Sequence, residues 1–158
     1  MSEPASEHDR ELRALYDRPA AAQAYPPVAP DEAIPVAVFG AHMRGQPLNV
    51  QMLGLGGVFS GDCRTAPLYR CHLIGGQIPR PGLVRSAQGG ASIAGEIWRL
   101  PPAGFGRLVN AVAPPLVIGT VELADGSRLK GYLCEEHGAH GTTDITHFGS
   151  WRAFLESR

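Results

Sequence analysis

Charge is scarce in this sequence, and what there is nearly cancels. Only 18% of the 158 residues are charged, and the formal net charge is −1 with His neutral. The arginines are scattered, which excludes the clustered cationic face that a phosphate backbone requires, so nucleic acid is not an expected partner. Long apolar runs are missing as well. None approaches the roughly 20 residues that span a bilayer, and Met1-Ser2-Glu3-Pro4 lacks the basic and apolar segments of a secretory leader. No membrane association and a cytoplasmic location are the expectations. The three cysteines, Cys63, Cys71 and Cys134, are odd in number and lack C-x-x-C spacing. That excludes a disulfide framework and a thiolate metal site, leaving reduced, half-buried thiols. No period of the length seen in solenoids recurs.

What is present is the composition of one globular domain rich in turns. Hydrophobic residues make up 44% of the chain, with 20 glycines and 14 prolines, the material of several short strands separated by tight turns. Residues Glu7 to Arg18 place Leu12, Leu15 and Tyr16 at helical spacing among charges. The Pro-rich stretch Pro19 to Pro30 reads as an extended tether. Residues 1–33 are thus expected to be a helix and tether, and residues 34–158 the domain proper. Val36-Ala37-Val38-Phe39 is a buried strand turning at Gly40. Leu48 to Leu55 reads as a helix between Pro47 and Gly56-Gly57. Val58-Phe59 and Leu68 to Leu73 read as strands, and Gly82 to Arg85 with Ala91 to Leu100 as a hairpin or a tight strand connection. Ala103 to Val112 is an amphipathic helix. Asp125-Gly126 joins Leu116–Leu123 to Arg128–Cys134 as a hairpin. Asp144 to Leu155 is expected to be a single closing helix, capped by Asp144, Thr146 or Ser150. About six strands with helices not in strict alternation imply an α+β fold on a mixed, barrel-like sheet. Gly54-Leu-Gly56-Gly57 follows a helical stretch, so it is a helix stop and no dinucleotide fingerprint.

Chemistry concentrates after the first strand. There Phe39-Gly40-Ala41-His42 brings small residues, through which an anion can approach main-chain N–H groups, next to a histidine able to face a pocket. A histidine bonding only its own turn is the equal alternative. His137 and His140 beside Glu135 and Glu136 have the look of metal ligands. Gly138 and Gly141 argue against a helix there, so a solvated loop and no metal are expected. His72 and His147 read as packing or surface residues. Gly61-Asp62-Cys63-Arg64 is not a nucleophile elbow, which excludes that route to covalent catalysis. Glu96 and Glu122 lie in strands. One of them facing an interior would serve as acid or base, against the plainer reading of a polar strand face.

Six separated segments carry a resemblance in a fixed order: Val36-Ala-Val-Phe-Gly-Ala-His-Met-Arg-Gly-Gln-Pro-Leu-Asn49, Arg64-Thr-Ala-Pro-Leu-Tyr-Arg70, Pro81-Gly-Leu-Val84, Gly95-Glu-Ile-Trp-Arg-Leu-Pro101, Ile118-Gly-Thr-Val-Glu-Leu123 and Asp144-Ile-Thr-His-Phe-Gly-Ser-Trp-Arg152. Together they resemble the C-terminal domain of allophanate hydrolase, from about Ile34 to the end. The resemblance implies a gamma-glutamylcyclotransferase-like mixed β-barrel of about six strands with flanking helices, in which Phe39-Gly40-Ala41 stands where cyclotransferases have a Tyr-Gly-Ser type loop. The region that carries the cyclotransferase glutamate corresponds to Asn110-Ala-Val-Ala-Pro-Pro-Leu116, which holds no acid. In the family an amidase domain deaminates allophanate, and the C-terminal domain decarboxylates the N-carboxycarbamate that results. His42 matches the histidine of the family's Gly-Ala-His motif and is the implied catalytic residue. Phe39, Gly40, Ala41, Asn49, Tyr69, Arg85 and Glu96 are the candidates for holding substrate. No cofactor is implied. The partners are a small N-carboxylated substrate, an amidase and, for the subunit itself, a second copy in a homodimer. The alternatives are a binding or assembly module for an amidase and a true cyclotransferase.

Overall fold

The computed structural model describes residues 6–17 and 31–158. The Pro-rich stretch Pro19 to Pro30 lies outside the described residues. Helix α1 spans Glu7–Tyr16, and its first turn is closed by a reciprocal Ser6 and Asp9 capping box.

Eight strands among the described residues form two sheets. β1 (Ile34–Val38), β2 (Val58–Arg64), β5 (Ala94–Leu100), β6 (Leu116–Glu122) and β7 (Arg128–Cys134) make a five-stranded sheet in the order β2-β5-β1-β7-β6. β3 (Tyr69–Ile74), β4 (Arg80–Arg85) and β8 (Thr143–Asp144) make a three-stranded sheet in the order β4-β3-β8. β1 is central, antiparallel to β5 and parallel to β7. Its position explains its sequence, because a strand covered on both faces needs the unbroken Val36-Ala37-Val38, all essentially inaccessible. On β5, alternation sends Glu96, Trp98 and Leu100 inward while Arg99 stays exposed. A carboxylate thus enters the core on the same face as a tryptophan.

The α+β class and the mixed sheet hold, although eight strands, not about six, divide between two sheets in place of one closed barrel. The β6–β7 hairpin forms with Glu122 opposite Arg128. Helix α2 is Asn49–Gly54 and α3 is Pro102–Ala111, with Pro102 in the first turn.

Three expectations need correction. Of the two readings of Gly82–Arg85 and Ala91–Leu100, the hairpin falls and the strand connection stands; β4 pairs with β3 and β5 with β1 and β2, so the glycines between them carry the chain from one sheet to the other. His137 lies in a short helix, α4 (Glu136–Ala139), where a loop is expected, because Gly138 lies so close to Pro115 that a Cβ would overlap its ring. The closing helix is broken. Thr143–Asp144 pairs with β3, Thr146–Phe148 is a 3-10 turn, and Gly149 adopts φ 67 before α5 (Trp151–Glu156), which Ser150 caps through Ala153 N–H. The αL residue ends one turn and frees Ser150 to start the next. No helix among the described residues is long and apolar enough to cross a membrane.

Candidate active site

Beyond the end of β1 the chain must leave a sheet whose strands continue on both sides, and it does so through turns held by Met43 N–H to Gly40 carbonyl at 3.0 Å and Leu48 N–H to Ala41 carbonyl at 2.8 Å. This loop forms one wall of a cavity of about 510 Å³. α2 adds Gln51 and its C-cap Leu55, α3 adds Leu108 and Ala111, the start of β4 adds Arg80 and Pro81, and β7 adds Tyr132.

His42 is held twice. Its Nε2 lies 3.1 Å from Gln51 Oε1 and its ring stacks on Tyr132. An amide oxygen accepts, so the proton of the neutral ring sits on Nε2 in this arrangement. Burial pulls the His42 pKa below its ordinary 6.5; the Gln51 contact acts against that and the Arg80 charge with it. Tyr132 is held as a neutral phenol, pushed up to about 12 by burial against the opposing pull of Arg80.

Arg80 is the residue that sets the character of the cavity. Its Nε is buried and has no hydrogen-bond partner, the only such side-chain atom among the described residues. Arg107 lines the same space, and no Asp or Glu does. A buried donor without an acceptor is costly, and the guanidinium brings to the cavity a charge that a ligand's carboxylate can meet with a charge-assisted contact. No group of three or more His, Cys, Asp or Glu among the described residues is placed to hold a metal ion.

The residues anticipated from sequence separate into three places. Phe39, Gly40, Ala41 and His42 line the cavity. Asn49 does not, and instead its Nδ2 donates to the His42 carbonyl at 2.9 Å, steadying the loop from behind. Tyr69 and Arg85 belong to a cluster around Glu122, where the Tyr69 hydroxyl accepts from Glu122 N–H at 2.9 Å and Arg85 lies 3.3 Å from the carboxylate. Neither lines the cavity.

Glu96 is 2% exposed and also stands outside the cavity lining. It accepts from Arg44 N–H at 3.0 Å, Arg44 Nε at 3.1 Å, Trp98 Nε1 at 3.0 Å and Arg152 Nη2 at 2.8 Å. Burial raises its pKa, but the bonds from the Arg44 main chain, Trp98 and the Arg44 guanidinium outweigh that and hold it below the ordinary value. It is thus a fixed carboxylate that fastens the loop, and not a proton carrier.

Sequence reasoning missed Gln51, Arg80, Arg107 and Tyr132. Gln51 had a readable signal, since Leu48, Gln51 and Leu55 fall at helical spacing on one face. The others depend on strand pairing and packing across the fold.

Residues 34–156 match a family model described as the allophanate hydrolase C-terminal domain. The urea amidolyase of Saccharomyces cerevisiae is 36% identical over 136 residues, which is 83% of this chain and 7% of that protein, and that of Lachancea kluyveri is 34% identical with the same coverage. The chain therefore spans a small part of these relatives. Among solved structures, Kluyveromyces lactis allophanate hydrolase is similar at 35% identity with a TM-score of 0.75, covering 79% of this chain and 21% of that one. A uropathogenic E. coli-specific protein, c4763, is 38% identical with a TM-score of 0.74, covering 80% of this chain and 98% of its own. The fold alone is shared with a protein of Pyrococcus horikoshii, at 17% identity and a TM-score of 0.59.

Proposed function

We propose, from the premise that this chain belongs to the allophanate hydrolase C-terminal domain family, that its cavity binds N-carboxycarbamate and assists its decarboxylation. The observation that carries the reading is Arg80, a cation with a buried unpartnered Nε beside His42 in a cavity without acids.

The reaction converts the N-carboxycarbamate dianion and one proton into carbamate and CO2. The C–N bond to the departing carboxylate breaks, its electron pair stays on nitrogen, and the proton ends on that nitrogen. The protein has two tasks. It must hold a dianion, for which Arg80 is the anchor and Gly40 and Ala41 N–H groups the second contact, and it must supply a proton to a weakly basic nitrogen, for which His42 is the donor. The depressed His42 pKa fits this division. Burial favours the neutral imidazole, and a bound dianion favours the imidazolium, so the acid form is drawn up when substrate arrives. An amidase is the proposed source of substrate, since the relatives that this chain matches over a small part of their length are urea amidolyases.

The test is to generate N-carboxycarbamate from allophanate with an amidase and follow its decay by carbon NMR. Decay should accelerate with the wild-type chain and return to the uncatalysed rate with His42→Ala. Arg80→Met should raise KM more than it lowers kcat. Equal decay with and without the wild-type chain rejects the reading.

A further inference from the structure

The cavity is far larger than the substrate just proposed for it. Its volume of about 510 Å³ lies in the range that encloses drug-sized ligands, roughly 300–1,000 Å³, whereas N-carboxycarbamate is a small planar dianion. The polar equipment is gathered in one cluster. His42 touches both Gln51 and Tyr132, and the charge of Arg80 acts on His42 and Tyr132 alike. Much of the remaining wall is apolar, formed by Leu48 and Leu55 around α2, Leu108, Ala111 and Val112 on and after α3, and Leu116 at the start of β6.

A small dianion seated on Arg80 leaves water against those side chains. Covering them with a ligand's own apolar group releases that water, and each methylene so buried tightens binding by roughly three- to fourfold. The same walls offer a second carboxylate only Arg107, which is exposed to solvent and so holds a charge more weakly than a buried cation does.

We propose that the site is built for N-carboxylates that carry an apolar arm the size of a butyl or benzyl group on nitrogen, −OOC–NR–COO−, with the dianion on Arg80 and His42 and the arm against α3. The proposal rests on the anion-site reading above and adds the class of R. Bond changes are the same as for R = H, with one proton consumed and one CO2 released.

Replacing the nitrogen by carbon gives stable analogues, so the experiment is isothermal titration of the full chain with malonate, butylmalonate, benzylmalonate and adipate. Butylmalonate and benzylmalonate should bind at least roughly tenfold more tightly than malonate. Ala111→Phe, at an exposed helix position that tolerates the change, should collapse that ratio towards one, with the unfolding midpoint confirming that the variant is folded. Arg80→Met should abolish binding of all four. Malonate binding as tightly as its substituted forms overturns this proposal and leaves the anion site standing. Adipate binding best overturns it in favour of a cavity for two separated carboxylates. Failure of all four to bind overturns the arm and the anion site together.

Discussion

His42 stacks face to face on Tyr132, with ring centroids 5.0 Å apart and planes 19° from parallel. His42 comes from the loop after β1 and Tyr132 from β7, and Gln51 fixes the imidazole edge at 3.1 Å. The ring is therefore oriented before any ligand arrives, which is the condition for a proton donor that must meet one nitrogen.

The pH dependence follows from the sign of the His42 shift. Its pKa lies below 6.5 in the free protein, and a bound dianion raises it. If the imidazolium is the active form, kcat/KM falls as pH rises through a value below 6.5, while kcat falls at a higher pH. Paired rate profiles check this, and a kcat inflection below that of kcat/KM is the contrary result.

Glu96 makes acid stability measurable. Its folded pKa is held below the ordinary 4.5, so its contribution is complete above 4.5 and is lost as pH falls through the lowered value. Glu96→Gln should lose about 2–4 kcal/mol at neutral pH, less than a fully buried pair because Arg44 and Arg152 keep 48% and 42% of their side-chain surface in water. Urea unfolding at about pH 7 and about pH 3.5 should show the gap between variant and wild type narrowing in acid.

Gly40 is small for a reason the sequence did not reveal. A Cβ at this position would overlap the Pro81 ring, so the missing side chain lets β4 close on the end of β1. Gly40→Ala should cost about 1–3 kcal/mol through overpacking. Denaturant titration measures the loss, and the malonate affinity of the folded fraction reports whether the cavity wall between Gly40 and Pro81 has moved.

The thiols should be sluggish. Burial pushes Cys63 up to about 11 and Cys71 up to about 12, with nearby carboxylates adding to both, and Cys134 is raised as well. Thiolate is the reactive form. At about pH 8, Ellman's reagent should therefore label the native chain slowly and the urea-unfolded chain at once; fast native labelling is the opposing outcome.

Local chemistry made much of the fold legible. Asp125-Gly126 fixed one hairpin, the apolar run of β1 marked a buried strand, and Pro102 opened α3. Pairing across distance was not legible, because Gly89-Gly90 between two strand-like segments has the same pattern whether the strands pair with each other or diverge. The single closing helix failed at Gly149, whose αL conformation depends on where β8 docks. At the site, His42 and its loop were readable as a strand end followed by small residues. Arg80 was not, since a strand-start arginine is ordinary until the fold buries its Nε. Glu96 shows the converse. An acid inside a strand looked chemical, and the two arginines that hold it lie 52 and 56 residues away.

Arg152 reaches from α5 to Glu96 at 2.8 Å and to the Arg44 carbonyl at 3.0 Å across 108 residues of sequence. On the ribosome, then, His42 has long left the exit tunnel when the last residue that fastens its loop is still being made. The nascent chain carries its histidine in a loop that still lacks one of its fastenings, and a message cut short just before the codon for Trp151 would encode every cavity-lining residue but not the guanidinium that ties Glu96 to the Arg44 carbonyl.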